Sequence, residues 1–206
     1  IPKPFDYRVL LAVVPAVARA AEESGVARLP IRDFEAYDRQ LEHLVSRRLE
    51  LMRAVLDRAR RAPKRIVFPE GENEKILRAA KILVDEGLAH PILLARREKI
   101  AQRLAELGLS EDRITVVHNE SSPRWEAYQR RLHELRRREG VTLEEAAKLL
   151  RSRNWFGTLM VASGDADGLI SGLTYEYPDT IRPALQVIGT RPGSRVAGAY
   201  ILILKD

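Results

Sequence analysis

From Lys64 onward the sequence alternates strand-like and helix-like segments, and this rhythm limits the fold more than any other feature. Short apolar runs that suit buried strands occur in "KRIVFPEGEN", "HPILLA", "DRITVVH" and "ADGLISG", and segments with apolar residues at helical spacing separate them. Strands joined through helices pair in parallel and need helices on both faces of the sheet. The sequence therefore predicts an α/β fold with a mostly parallel sheet covered on both faces.

The segment before Lys64 lacks this alternation and predicts helices. We expect a helix over "YRVLLAVV", a second helix that Pro15 starts or kinks, and a long helix that Asp33 caps and Pro63 ends. Because the chain does not begin with Met and stops after a final predicted strand, "SRVAGAYILIL", we expect it to be a segment of a longer polypeptide. The predicted parts are a tail at 1–34, a linking helix at 35–63 and the α/β domain at 64–206.

The charge pattern argues against a nucleic-acid partner. Lys and Arg exceed Asp and Glu by 35 to 29, which gives a net charge of +6, but basic runs such as "RRREG" are followed at once by acidic ones such as "VTLEEAAKLL". This mixture is typical of salt-bridged helix surfaces and not of a basic stripe. The apolar runs are too short to span a bilayer and the chain has no cysteine, so we expect a cytoplasmic protein without a membrane partner.

Three glutamates follow the first predicted strand in "FPEGENEK". Glu70, Glu72 and Glu74 directly precede a predicted helix, where carboxylates interact favourably with the positive end of the helix dipole. We interpret them as residues that stabilise this helix start. No third type of ligand stands near them in the sequence, so we predict no metal site.

A glycine loop follows the strand in "DADGLISG". The "DADG" stretch is not a calcium loop, because Ile170 stands where that motif requires glycine. Gly172 leads instead into the start of a helix, where free backbone amides and a positive dipole suit a phosphate. A flexible turn without a ligand remains the alternative.

The helix after this loop contains an unexpected arginine. Pro183 has no amide hydrogen and fits the first turn of a helix, which places Thr180 at the N-cap and Arg182 at the second position. A cation there faces the positive end of the dipole. A bound anion held by both the amides and the guanidinium would explain this position. For Arg136, in "HELRRREG", composition alone favours a solvated helix face.

Other catalytic patterns are missing from the sequence. No Gly-rich dinucleotide fingerprint occurs, and the histidines make no metal-ligand pair in the sequence. The four histidines are His43, His90, His118 and His133.

Three ordered stretches resemble the amino-terminal half of a phosphate acetyltransferase domain. They are "KRIVFPEGENEKILRAAKILVDEGLAHPILLA", "HELRRREGVTLEEAAKLL" and "DADGLISG…DTIRPALQVIGT", within residues 64–206. The preceding stretch, "IPKPFDYRVLLAVVPAVARAAEESGVARLPI", resembles the closing segment of bacterial malic enzymes. The combination is similar to multidomain NADP-dependent malic enzymes with a phosphotransacetylase-like domain.

The resemblance implies a fold like that of isocitrate and isopropylmalate dehydrogenases, a homo-oligomer, and acetyl-CoA as ligand. It implies that Arg136 and Arg182 serve the cleft for CoA and phosphate, to which we add Thr180 and Gly172. The catalytic residues of both activities would lie outside this chain. NADP and a divalent metal, Mg or Mn, would bind elsewhere in the parent protein.

The sequence departs from the family in one loop. Tyr175, Glu176 and Tyr177 stand where acetyltransferases have small, hydroxyl-rich residues, and two rings and a carboxylate would obstruct and repel phosphate. The resemblance and this loop together suggest a regulatory acetyl-CoA site in a malic enzyme. The alternatives are an active phosphate acetyltransferase and a non-catalytic oligomerisation module.

Overall fold

Strands and helices alternate from Lys64 onward as the sequence predicts. The structure, a computed structural model, describes residues 7–110 and 112–198. The strands are β1 (Lys64–Phe68), β2 (Ala89–Leu94), β3 (Thr115–Val117) and β4 (Gly168–Leu169). The α-helices are α1 (Tyr7–Glu23), α2 (Phe34–Arg61), α3 (Glu74–Asp85), α4 (Arg97–Glu106), α5 (Trp125–Arg136), α6 (Leu143–Leu150), α7 (Arg153–Ala162) and α8 (Tyr177–Val187).

The four described strands form one parallel sheet in the order β3-β2-β1-β4. Val67 at the centre of the sheet pairs with Ile92 on one side and with Leu169 on the other. The predicted α/β class and the parallel pairing are confirmed.

Helices cover both faces of the sheet because neighbouring strand residues point in opposite directions. Val67 of β1 packs into a core cluster with residues of α5, α6 and α7. The next residue, Phe68, packs on the opposite side with residues of α3 and α4. Both clusters consist of buried apolar side chains, so each face of the sheet has its own hydrophobic core.

The described residues fall into two compact units, which divide between Asp57 and Arg58 within α2. In the first unit α1 continues through Pro15 as one helix, so no second helix begins there. Proline removes one intrahelical hydrogen bond, and the bonds of the other turns maintain the helix. The predicted cap of α2 is confirmed, because the Asp33 carboxylate accepts a hydrogen bond from the backbone N–H of Ala36 at 2.9 Å.

The predicted final strand lies mostly outside the described residues. Residues 194–198 are described, are exposed and form no strand. The strand prediction is therefore wrong for these five residues.

Gly157 of α7 provides a test of how closely this helix packs on the sheet. A Cβ at this position would lie 2.8 Å from Cδ1 of Leu169 and 3.0 Å from Cγ1 of Val67. We expect Gly157→Ala to lower the free energy of unfolding by about 1–3 kcal/mol, although alanine favours helices. Urea denaturation of the chain measures this change.

Gly198→Ala is the matched control, since a Cβ at Gly198 would meet nothing within 4 Å. We expect its effect to stay within about 0.5 kcal/mol. A Gly157→Ala variant as stable as the parent chain would contradict the described packing of α7.

Candidate functional site

The loops after β1 and β4 meet at the point where the strand order reverses. The chain runs from β1 through β2 to β3 on one side of β1, whereas β4 lies on its other side. In open α/β sheets, ligands bind outside the carboxyl ends of the strands at such a switch point. The segments 69–73 and 170–176 form this part of the molecule, and the candidate site is built around them.

The carboxylate of Glu70 links these two segments. It accepts hydrogen bonds from the backbone N–H groups of Gly172 and Leu173, both at 3.1 Å, and from the backbone N–H of Thr174. The hydroxyl of Thr174 donates a fourth hydrogen bond at 2.6 Å. Glu70 is only 6% exposed, although the three residues that donate to it are exposed.

The ionisation of Glu70 follows from these bonds. Burial by itself would raise the pKa of Glu70, but the Thr174 hydroxyl and the three backbone N–H groups outweigh burial and lower it. The carboxylate is therefore ionised at neutral pH. It occupies the concave group of N–H donors that we call the amide nest, which consists of Gly172, Leu173 and Thr174.

The amide nest changes the interpretation of the Gly172 loop. The sequence predicts free amides that could hold a phosphate, whereas all three donate to Glu70. The anion at this position comes from the chain itself. The prediction of open amides at Gly172 is therefore wrong in this structure.

Gly71 fixes the backbone next to Glu70. A Cβ at Gly71 would lie 3.0 Å from Cβ of Leu93 and 3.0 Å from the backbone N of Leu94. Backbone atoms of a central strand cannot move aside easily, so only glycine fits here. The close approach to β2 holds Glu70 and Glu72 at defined positions above the sheet.

Helix α8 starts earlier than the sequence predicts. Glu176 is the N-cap and Tyr177 the first helical residue. Thr180 therefore lies inside the helix, where its hydroxyl donates to the carbonyl of Glu176 at 3.3 Å. Arg182 is the sixth helical residue, beyond the first turn, so its guanidinium does not oppose the helix dipole. The predicted N-cap at Thr180 is wrong.

Asn154 of α7 explains how α8 tolerates Pro183. Proline cannot donate to the carbonyl of Asp179, four residues earlier. The side-chain amide of Asn154 donates to this carbonyl at 3.2 Å, and the hydroxyl of Ser171 donates to Oδ1 of Asn154 at 2.7 Å. Buried Asn154 thus joins α7 to both the glycine loop and α8. The sequence contains no local signal for this contact.

The three bulky loop residues have different positions. Tyr177 is 72% exposed, and Glu176 is exposed as the N-cap of α8. Tyr175 is half-buried, and burial raises its pKa, while Arg153 acts in the opposite direction. Tyr175 therefore lies within electrostatic reach of both Glu70 and Arg153.

Glu72 contacts three cationic residues, two at the start of α4 and one at the start of α7. It accepts from the backbone N–H of Arg96 at 3.1 Å and from Nε of Arg96 at 3.3 Å. Nη2 of Arg153 donates to the same carboxylate, and Nζ of Lys99 lies 3.8 Å away. Burial opposes ionisation, but the hydrogen bonds from Arg96 and Arg153 lower the pKa of Glu72 to about 2.

The interpretation of these glutamates as helix-start residues is wrong for Glu70 and Glu72. Asn73 is the N-cap of α3, and its side chain accepts from the backbone N–H of Lys75 at 2.9 Å. Only Glu74 lies in the first turn, where it also pairs with Arg78 at 2.6 Å. Glu70 and Glu72 contact other segments because Gly71 holds the loop against β2.

Arg136 ends α5 and does not lie on a fully solvated face. Its side chain is 23% exposed, and Nη1 lies 3.5 Å from Oε1 of Glu139. Its Nε is buried and has no hydrogen-bond partner among the described residues. Within the same residues no hydrogen bond or ion pair joins Arg136 to Arg182, Thr180 or Gly172, and Arg182 is exposed. Their common role in a cleft stays a prediction.

A cavity of about 540 Å³ opens beside the ends of β2 and β3. Val117, Phe156 and Met160 contribute apolar surface. The charged side chains of the lining include both cations and carboxylates, namely Arg97, Arg124, Glu98 and Asp165. Cavities that hold small ligands typically have about 300–1,000 Å³. The candidate site therefore combines a charged part above β1 with a cavity above β2 and β3.

Two further properties concern the described residues only. Among the side chains that the structure describes, no group of three or more His, Asp or Glu could hold a metal ion. No helix in these ranges is both long and apolar enough to cross a membrane.

Comparison with known proteins agrees with the parallel α/β fold described above. Residues 50–206 match the phosphate acetyl/butaryl transferase family. The chain belongs to this family. A phosphotransacetylase structure from Streptococcus pyogenes superimposes with a TM-score of 0.67 at 37% identity, covering 71% of this chain and 44% of the other. The predicted resemblance to phosphate acetyltransferases is thus confirmed in sequence and in fold.

Two relatives match different shares of this chain. An NADP-dependent malic enzyme from Escherichia coli strain K12 is 41% identical over 99% of this chain, which spans 27% of that enzyme. A phosphate acetyltransferase from Nitratidesulfovibrio vulgaris is 40% identical over 74% of this chain, which spans 22% of that enzyme. The chain therefore corresponds to about a quarter of the length of either relative, and its match to the malic enzyme is the more complete.

The charge network around Glu72 predicts a pH-dependent stability. The pKa of Glu72 is about 2 in the folded chain against an ordinary value of 4.5. Between these values the unfolded chain binds a proton that the folded chain does not, so stability falls as the pH falls from about 4.5 to about 2. We expect Glu72→Gln to lower the free energy of unfolding by about 2 kcal/mol at pH 7 and by much less near pH 2.5.

Urea denaturation followed by the fluorescence of Trp125 and Trp155 measures this difference. Glu74→Gln is the control, because Glu74 forms an exposed pair with Arg78 on α3, and we expect an effect below about 0.5 kcal/mol. An effect of Glu72→Gln that is the same at pH 2.5 and pH 7 would show that the network does not hold Glu72 ionised.

Proposed function

We propose that this chain is part of a malic enzyme that oxidatively decarboxylates malate to pyruvate and carbon dioxide. One observation supports this assignment most: the match to the malic enzyme covers 99% of the chain, whereas the match to the transferase family begins at residue 50. Residues 1–49 therefore have a counterpart in the malic enzyme outside the transferase family region. On this proposal NADP and a divalent metal, Mg or Mn, bind elsewhere in the full-length protein.

We propose further that the α/β unit binds acetyl-CoA and regulates the malic enzyme reaction. The candidate site offers a cavity of about 540 Å³ whose lining combines apolar side chains with Arg97 and Arg124, and this combination suits a ligand with an adenine ring and phosphates. An effector changes activity only if it binds two states of the enzyme with different affinities. A homo-oligomer whose subunits change their arrangement would provide such states.

An active phosphate acetyltransferase is the second candidate. It is favoured by the 40% identity to the Nitratidesulfovibrio vulgaris enzyme and by the outward position of Tyr177, which leaves fewer bulky groups over the site than the sequence predicts. The candidates differ in one simple property. A transferase forms acetyl-CoA from acetyl phosphate and CoA, whereas a regulatory domain binds acetyl-CoA without turning it over.

Calorimetry and malate kinetics of the full-length protein test the regulatory proposal. We expect acetyl-CoA to bind with measurable heat and to change the malate kinetics, and we expect no acetyl-CoA formation from acetyl phosphate. Arg182→Ala and Arg136→Ala should each weaken acetyl-CoA binding about tenfold or more, because each removes a guanidinium assigned to the ligand.

Arg130→Ala is the control, since Arg130 lies on the same helix as Arg136 and makes only an exposed contact with Glu126. We expect it to bind acetyl-CoA as the wild type does. A protein that gives neither heat nor a change in malate kinetics would exclude the regulatory role. Transferase activity that Arg182→Ala abolishes would favour the second candidate. Unaltered binding and regulation in both arginine variants would show that neither guanidinium contacts the ligand, and the absence of binding, regulation and transferase activity would favour an oligomerisation module.

A further inference from the structure

Three cations share a single carboxylate above the ends of β1 and β2. Arg96, Lys99 and Arg153, together called the cation cluster, all lie within 4 Å of Glu72. Among the described residues, no other carboxylate makes an ion pair with any of them. Three positive charges and one negative charge leave this group with an excess of two positive charges.

The backbone around the cation cluster adds to this positive charge. Arg96 is the N-cap of α4, and Arg153 is the first residue of α7. Neither helix start has a hydrogen bond from a capping side chain. Cations at the positive ends of two helix dipoles are unfavourable without anions to balance them. Glu98 lies in the first turn of α4 and balances that helix start, whereas the first turn of α7 has no acidic residue.

Glu70, two residues before Glu72 in the same loop, is not an ion-pair partner of the cluster. Glu70 is buried and accepts four hydrogen bonds from the amide nest and Thr174. Two members of the cluster are accessible, since the side chains of Arg96 and Lys99 are 45% and 52% exposed.

We propose that Arg96, Lys99 and Arg153 bind the diphosphate group of a nucleotide-containing ligand, while Glu72 holds the three side chains together. Guanidinium groups bind phosphate oxygens in a bidentate manner, and the lysine adds a compact charge. The excess of two positive charges matches the two or more negative charges of a diphosphate. Acetyl-CoA carries this group, so the identity of the ligand rests on the proposed function, whereas the anion site does not.

Titration calorimetry of the full-length protein with inorganic pyrophosphate and with acetyl-CoA tests the proposal. The variant Arg96→Gln/Lys99→Gln removes two charges from exposed side chains and leaves the Arg153–Glu72 pair in place. We expect its affinity for both probes to fall at least tenfold relative to the wild type. Arg153 and the backbone N–H of Arg96 still bind Glu72 in this variant, so its unfolding temperature should fall less than that of Glu72→Gln, which separates loss of a ligand site from loss of structure.

Arg78→Gln/Arg103→Gln is the matched control, because it removes the same charge from exposed residues of α3 and α4 that pair with Glu74 and Glu106. We expect wild-type affinity for both probes. Equal weakening in the two double variants would mean a general charge effect and would overturn the site, as would wild-type pyrophosphate affinity in the cluster variant.

The two probes separate this proposal from the proposed function. If acetyl-CoA binds the wild type and the cluster variant equally, the regulatory proposal stands and the cation cluster is not its phosphate site. If pyrophosphate binding depends on the cluster but acetyl-CoA does not bind the wild type, the anion site stands and the acetyl-CoA assignment fails. If neither probe binds the wild type, both the anion site and the acetyl-CoA assignment are wrong.

Discussion

The buried carboxylate of Glu70 in the amide nest is the interaction on which the rest of the site depends. It joins the loop after β1 to the loop after β4, two segments about a hundred residues apart in the sequence. A carboxylate with four donors resists protonation and does not leave its position easily. The loop that it holds carries Tyr175 and ends in Glu176, the N-cap of α8. The start of α8 therefore depends on this contact together with the bonds of Asn154 to the same loop and to α8.

Glu70 and Glu72 show how one loop can give two carboxylates different roles. Gly71 presses the backbone against β2, and the residues on either side of it extend toward different partners. Glu70 is satisfied by backbone amides and is closed to solvent, whereas Glu72 is surrounded by side-chain cations that remain partly exposed. The first arrangement fixes the architecture of the site. The second leaves positive charge that an external anion can reach.

Local patterns in the sequence predict most of the fold. Apolar periodicity identifies β1, β2 and α3 to α7, and the caps at Asp33 and Thr142 are visible as short polar residues before amphipathic segments. The parallel sheet with helices on both faces follows from the alternation of these elements. These features are predictable because they depend on residues close together in the sequence.

The candidate site is less predictable because its contacts are not local. Pro183 predicts a helix start because, inside a helix, it would leave the Asp179 carbonyl without a backbone donor. Asn154, 25 residues away in the sequence, donates to this carbonyl instead. Glu70 likewise looks like a helix-start residue until the β4 loop is placed beside it. The sequence predicts Arg182 in the first turn of a helix, whereas the structure places it beyond that turn. No local pattern in the sequence links Arg96, Lys99 and Arg153, because only the folded chain brings them to Glu72.

Amide hydrogen exchange at Gly172, Leu173 and Thr174 tests the central claim most directly. If Glu70 holds the amide nest, these three amides exchange slowly in the wild type. They should then exchange at least tenfold faster in Glu70→Gln, while the amide of Val67 in β1 keeps its protection. Fast exchange of the three amides in the wild type, or unchanged protection in Glu70→Gln, would show that Glu70 does not organise this site.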